Sequence, residues 1–96
     1  MTPPFSVRTT RRFERLARSR LKGDSEFEAL QGRAVEVLIT DPHNRSRAHH
    51  IKKLEALPLG EGQWRLSLGR FRFRYDIYGD EVVLQYCGLR REDTYR

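Results

Sequence analysis

One cysteine, Cys87, stands in the whole chain, and no apolar run approaches the roughly 20 residues that a membrane-spanning helix needs. A lone cysteine excludes an internal disulfide and any multi-cysteine metal site, which suits a reducing cytoplasm. Its place in a strand-like segment points to packing rather than catalysis. The opening MTPPFSV reads as no export signal, so a soluble, cytoplasmic protein without a membrane partner is expected. Acid is scarce too: nineteen Lys and Arg face thirteen Asp and Glu, a formal charge of +6. His43, His49 and His50 have no cysteine and few carboxylates near them, so neither a metal nor another cofactor is expected. A surface of this sign attracts nucleic acid, an acidic protein or an anionic membrane, and the sign alone does not choose among them.

What is present suffices for a single domain over residues 1–96. Hydrophobic residues make up 38% of the chain and are spread along it, which argues against disorder and for one modest core. The clearest pattern occupies residues 64–87. Trp64, Leu66 and Leu68, then Phe71, Phe73, Tyr75 and Ile77, then Val82, Leu84 and Tyr86 each alternate with other residues, the period of a strand. Gly69-Arg70 and Gly79-Asp80 are natural two-residue turns between the three segments. In the register they imply, Leu66 meets Phe73, Tyr75 meets Leu84 and Phe73 meets Tyr86, so the apolar residues share one face. The opposite face then sets Arg74 between Arg65 and Gln85, and Arg72 between Ser67 and Cys87. Only Asp76 is acidic there. Like charges placed opposite each other are destabilising, which suggests that an anion or an acidic partner neutralises this face.

Before this sheet, Phe5 to Thr9 alternates like a short strand, and Thr10 can cap a helix with Phe13, Leu16, Ala17 and Leu21 on one side and Arg11, Arg12, Arg15 and Arg18 on the other. Gly23 stops it. The SEFE sequence of residues 25–28 fits a capping box that opens a second helix, ended by Asp41-Pro42. The short link makes the pair an antiparallel hairpin able to cover one sheet face. HNRSRAHH (43–50) reads as a basic loop, and IKKLEAL (51–57) as either a helical turn or two or irregular chain.

The order strand, two helices, basic loop and three antiparallel strands, with IKKL (51–54), Trp64-Arg65, Gly69 through Tyr75, then Gly88, Arg90 and Tyr95, resembles the RelE/ParE superfamily of bacterial toxins from type II toxin–antitoxin pairs. The resemblance implies an α+β, RelE-like fold: an N-terminal strand and an antiparallel helix hairpin packed on one face of a mostly antiparallel four-stranded sheet. It also implies one of two activities. RelE-like members cleave mRNA in the ribosomal decoding site without a metal; ParE-like members inhibit DNA gyrase. A non-catalytic member that only binds its antitoxin is a third reading. Carried over by position, the nuclease reading makes Arg65, Arg72, Arg90 and Tyr95 catalytic, and Lys52, Lys53, Arg74 and Arg91 RNA-backbone contacts. Three features depart from the family pattern: Ser67 stands where some nucleases have lysine, Leu89 where many members have histidine, and one extra residue lies between Gly88 and Tyr95 compared with the commonest spacing. The implied partners are mRNA and the ribosome (or gyrase) and a cognate antitoxin whose acidic, partly disordered segment folds onto the cationic surface.

Metal-free RNA cleavage requires removal of the 2′-hydroxyl proton, stabilisation of charge on the phosphoryl oxygens and protonation of the leaving 5′-oxygen. Arginine suits the second task, because its fixed fork grips phosphate and stays charged, and it is a poor base for the same reason. Tyr95 is expected either as base or stacking residue, its phenolate favoured by neighbouring guanidinium groups, or as a core tyrosine that pins the tail. The alternation places Trp64 on the apolar wall, where core packing is expected.

Overall fold

The computed structural model describes residues 4–92, in which extended and helical segments follow the order β1 (Ser6–Thr9), α1 (Arg11–Leu21), α2 (Ser25–Thr40), β2 (Ile51–Lys53), β3 (Trp64–Leu68), β4 (Phe71–Tyr78), β5 (Glu81–Leu89) and a closing 3-10 turn, η1 (Arg90–Glu92). The strands form one open sheet in the order β1-β5-β4-β3-β2, with β1 parallel to β5 and every other pair antiparallel. It is a small α+β domain with both helices packed against the sheet. No helix among the described residues is long and apolar enough to cross a membrane.

Five strands replace the expected four. Residues 51–53, read from the sequence as a helical turn or irregular chain, pair with β3 so that Ile51 faces Leu66, Lys52 faces Arg65 and Lys53 faces Trp64. Ser67 N donates to His50 O at 2.9 Å and Leu54 N to Gln63 O at 2.7 Å, extending the ladder at both ends. Satisfying the β3 edge outweighs the weak helical spacing of Ile51, Leu54 and Leu57, a preference too short to nucleate a helix alone.

Local chemistry sets the helix ends. Thr10 Oγ1 accepts from Phe13 N at 3.0 Å, as expected of a cap, and Phe13 drops into the core fully buried. The cap of α2 is Asp24 rather than Ser25: its Oδ1 accepts from Phe27 N at 3.0 Å, one residue ahead of the SEFE reading. Asp24, Glu26 and Glu28 then place three carboxylates where the helix dipole favours them. Gly23, at φ +80, turns the chain between the two helices. Asp41 N closes α2 on Val37 O at 2.8 Å, and the next residue, Pro42, cannot continue it.

The core lies between the helices and one sheet face. Phe13, Phe27, Ala34, Val37 and Leu38 meet Leu66, Phe71, Phe73, Tyr75, Val82, Leu84 and Cys87. Phe27 sits edge-on to Phe71 at 5.4 Å and stacks on Phe73 at 5.9 Å. Trp64 joins the margin of this wall, stacked on Tyr75 at 6.4 Å, and Tyr75 donates its buried hydroxyl to Pro42 O at 2.7 Å. Burial, reinforced by the Asp41 carboxylate, raises the Tyr75 phenol above its usual value.

One register expectation fails. Tyr75 faces Leu84 and Ile77 faces Val82 as the turn requires, but beyond them a bulge at Gln85 shifts the ladder, so that Arg74 faces Tyr86, Phe73 faces Cys87 and Arg72 faces Gly88. The extra residue exchanges the faces of Tyr86 and Cys87. The exchange is physically sensible: a small thiol fills the core beside Phe73, while the phenol keeps its polar end on the cationic face. Burial, with the Glu14 carboxylate nearby, pushes the Cys87 thiol up to about 12, so it packs and does not react.

Candidate nucleic-acid interface

The polar face of the sheet divides into a covered half and an open half. In the covered half Asp76, fully buried, accepts from Gly60 N at 2.8 Å, Gly62 N at 3.2 Å, Gln63 N at 2.8 Å and Gln85 Nε2 at 3.1 Å. The one carboxylate read on this face thus pins the loop 54–63 across the sheet. Gly62, at φ +88, lies so close that a Cβ there would stand 2.7 Å from Arg74 Cβ. Arg74 is thereby roofed over, only 7% exposed, with its guanidinium carbon 4.3 Å from the centre of the Tyr86 ring. Arg12 of α1 lies against the same ring at 5.8 Å and reaches Glu61 of the covering loop at 3.6 Å.

The open half holds a cleft of about 570 Å³. Arg65 and Ser67 from β3, Arg72 from β4 and Arg90 from η1 all line it, with Lys52 from β2 and Gly69 at the β3–β4 turn. The ladder explains the convergence. Lys52 is directly across from Arg65, and Ser67 directly across from Arg72. Arg90 joins them because Arg90 N donates to Arg70 O at 2.7 Å, folding η1 back over the turn. At Gly88, opposite Arg72, a Cβ would stand 2.5 Å from the Tyr86 hydroxyl oxygen, so glycine leaves room for the phenol beside the cleft-lining strand.

The remaining wall is the loop after α2, which supplies His49 and His50. It is held by its own polar side chains. Asp41 Oδ1 accepts from Arg45 N at 2.8 Å, and Asp41 Oδ2 from Ser46 N at 3.2 Å and Ser46 Oγ at 2.6 Å. Partial burial works to raise the Asp41 carboxyl, but these bonds, with the nearby His49, outweigh it and hold the group below its usual value. Asn44, at φ +56, brackets His49 by donating to its carbonyl at 2.9 Å and accepting from its N–H at 3.1 Å. The His49 ring stands 3.8 Å from Asp41 Oδ2. His43 turns the other way, edge-on between Phe5 and Trp64.

The sequence-predicted site residues therefore separate. Arg65, Arg72, Arg90 and Lys52 share the cleft. Lys53, one residue along the strand, points away and lies over the Trp64 ring at 5.6 Å. Arg74 is buried beneath the loop, and Arg91 is exposed on η1. Tyr95 lies outside the described residues. Leu89, at the position where a histidine is common in the superfamily, packs against the core. His49 and His50, in the segment that reads from the sequence as a basic loop, line the cleft because the β2 ladder draws the loop against it. Tyr86 had no legible signal, since only the bulge brings it to this face.

Chemically, three guanidinium groups and an ammonium in one concave site suit a phosphodiester, which arginine forks can grip at more than one oxygen. The imidazoles at the wall are the side-chain type that exchanges protons most readily near neutrality. Among the described residues, no group of His, Cys, Asp and Glu is arranged to hold a metal ion. Comparisons with family models, with curated proteins and with solved structures return no match for the chain.

Proposed function

We propose that the chain is a RelE-like toxin of a type II toxin–antitoxin pair that cleaves mRNA on the ribosome without a metal. The observation that carries this reading is the meeting of Arg65, Arg72 and Arg90, from three separate elements, in one cleft with Lys52. Arg72 and Arg90 hold the scissile phosphate, with Arg65 beside them and Lys52 on the flanking backbone. The ribose 2′-oxygen bonds to phosphorus, the bond from phosphorus to the 5′-oxygen breaks, and the products are a 2′,3′-cyclic phosphate and a 5′-hydroxyl. The proton leaving the 2′-hydroxyl passes to a base, either Tyr95, from the superfamily resemblance, or His50 of the cleft wall, and the 5′-oxygen takes its proton from water. A cognate antitoxin with an acidic, partly disordered segment neutralises the cationic surface by folding onto it.

Controlled expression of wild type and Arg72→Ala in the same host, with growth and transcript ends followed together, tests the reading. Codon-phased cuts with wild type and their loss with Arg72→Ala are expected. Equal cutting by both would remove Arg72 from the site, and DNA breaks without transcript cuts would transfer the chain to a gyrase-directed activity.

A further inference from the structure

The loop after α2 anchors His49, one of its two cleft histidines, at three points. Asn44 takes the backbone from both sides, donating to the His49 carbonyl at 2.9 Å and accepting from its N–H at 3.1 Å. The ring is held separately, with Nε2 3.8 Å from Asp41 Oδ2. Asp41, the C-cap of α2, is itself fixed, because its two oxygens accept from Arg45 N, Ser46 N and Ser46 Oγ. Partial burial works against the charged carboxylate, but these bonds outweigh it, so Asp41 is ionised at neutral pH. With Nε2 turned to that carboxylate, Nδ1 is the ring nitrogen left for the cleft that His49 lines. His50, by contrast, is exposed and is tied through its main chain, its carbonyl accepting from Ser67 N at 2.9 Å. A carboxylate behind an imidazole, at the wall of a cationic cleft, is an arrangement that aims a proton.

We infer that His49 is the proton source for the water that protonates the leaving 5′-oxygen, with Asp41 and Asn44 as its positioning residues. The inference rests on the proposed RNA cleavage and assigns a step that the cleft cations do not perform. The imidazolium gives its Nδ1 proton to the water, and the water passes one of its own to the 5′-oxygen as the bond to phosphorus breaks. His49 is left neutral and takes a proton from solvent before the next turnover. The 2′-hydroxyl proton leaves separately, on the base. The remaining cleft groups suit this task less well. Arginine does not give up its proton near neutrality, and an ammonium is a much weaker acid than an imidazolium. Arg65 from β3, Arg72 from β4, Arg90 from η1 and Lys52 from β2 share the cleft with His49 and hold charge, His50 is its neighbour on the wall, and Asp41 is the carboxylate behind it.

Cleavage on translating ribosomes is timed for two mRNAs that differ at one atom, the bridging 5′-oxygen of a mapped cut site or a sulfur in its place. A thiolate is a far weaker base than an alkoxide and leaves without a proton, so the sulfur substrate bypasses any acid. His49→Gln keeps both backbone bonds to Asn44, and circular dichroism checks that each variant is folded. On the oxygen substrate His49→Gln should cut about a hundredfold more slowly, the lower end of the range for acid–base catalysis, and Asp41→Asn should lose less. Both should return nearly to the wild-type rate on the sulfur substrate, while Arg72→Ala stays slow on both. An unchanged rate in His49→Gln on the oxygen substrate overturns the inference, as does an equal loss on both substrates, the mark of a merely structural role. Rescue by sulfur in His50→Gln or Lys52→Ala but not in His49→Gln also overturns it. Wild type that cuts neither substrate removes the cleavage reading and the inference with it, whereas active wild type with unrescued His49→Gln removes the inference alone.

Discussion

Replacing Asp76 with alanine should release the loop 54–63 and uncover Arg74. Asp76 accepts four hydrogen bonds, three of them from the backbone N–H groups of Gly60, Gly62 and Gln63 and the fourth from Gln85 Nε2. An orphaned buried donor costs about 1–3 kcal/mol, and donors in a loop that can lift toward water recover part of that, so Asp76→Ala should lose about 3–5 kcal/mol. Asparagine gives a graded control. Oδ2 serves three donors and Oδ1 only Gln63 N, so the amide nitrogen is best placed at Oδ1 and forfeits one bond, a loss of about 1–3 kcal/mol. Urea unfolding gives the stabilities, and amide hydrogen exchange at Gly60, Gly62 and Gln63 localises the effect. A loss for Asp76→Ala within the roughly 0.5 kcal/mol typical of surface changes would refute the reasoning. So would unchanged exchange at those three amides.

Gly62→Ala attacks the same contact from the loop side. A Cβ at 2.7 Å from Arg74 Cβ, on a residue at φ +88, should cost about 1–3 kcal/mol in urea unfolding, with the loop amides exchanging faster. Asp41 should make the basic loop acid-sensitive. Its folded pKa lies below the ordinary value of 3.8, so its contribution is complete above about pH 4 and is lost as pH falls through the lower folded pKa. Amide exchange at Arg45 and Ser46 in Asp41→Asn should then match that of the acidified wild type, and no difference between Asp41→Asn and wild type at neutral pH would count against the role. Cys87, buried and pushed up to about 12, should ignore a thiol reagent at pH 8 until urea unfolds the chain. Rapid labelling of the native chain would contradict its place in the core.

Period-two alternation made the three-stranded meander legible, because a one-residue slip between Gly69 and Gly79 would have turned its apolar wall outward. The helix hairpin was legible from Thr10, Gly23 and Pro42, residues with strong positional chemistry. The bulge at Gln85 was not. Its selection depends on Asp76 receiving the Gln85 amide and on a thiol fitting beside Phe73, and both are tertiary facts. Strand β2 was hidden for a similar reason, since three residues carry too little period to compete with the helical spacing of 51, 54 and 57. Within the cleft, Arg65 and Arg72 follow from the alternation and Lys52 from the resemblance. The histidine wall required the β2 pairing, and the covering of Arg74 required knowing that Asp76 binds backbone rather than guanidinium.

Cleavage of mRNA on purified translating ribosomes, by chain dialysed against a chelator beforehand, tests the cleft most directly. The account predicts codon-phased cuts ending in a cyclic or 3′-phosphate with wild type, and a fall in rate of at least about a hundredfold with Arg72→Ala, the scale expected when one group stabilising transition-state charge is removed. Cutting that is lost with the dialysed chain and restored by a transition metal, or that proceeds equally in Arg72→Ala, would contradict it.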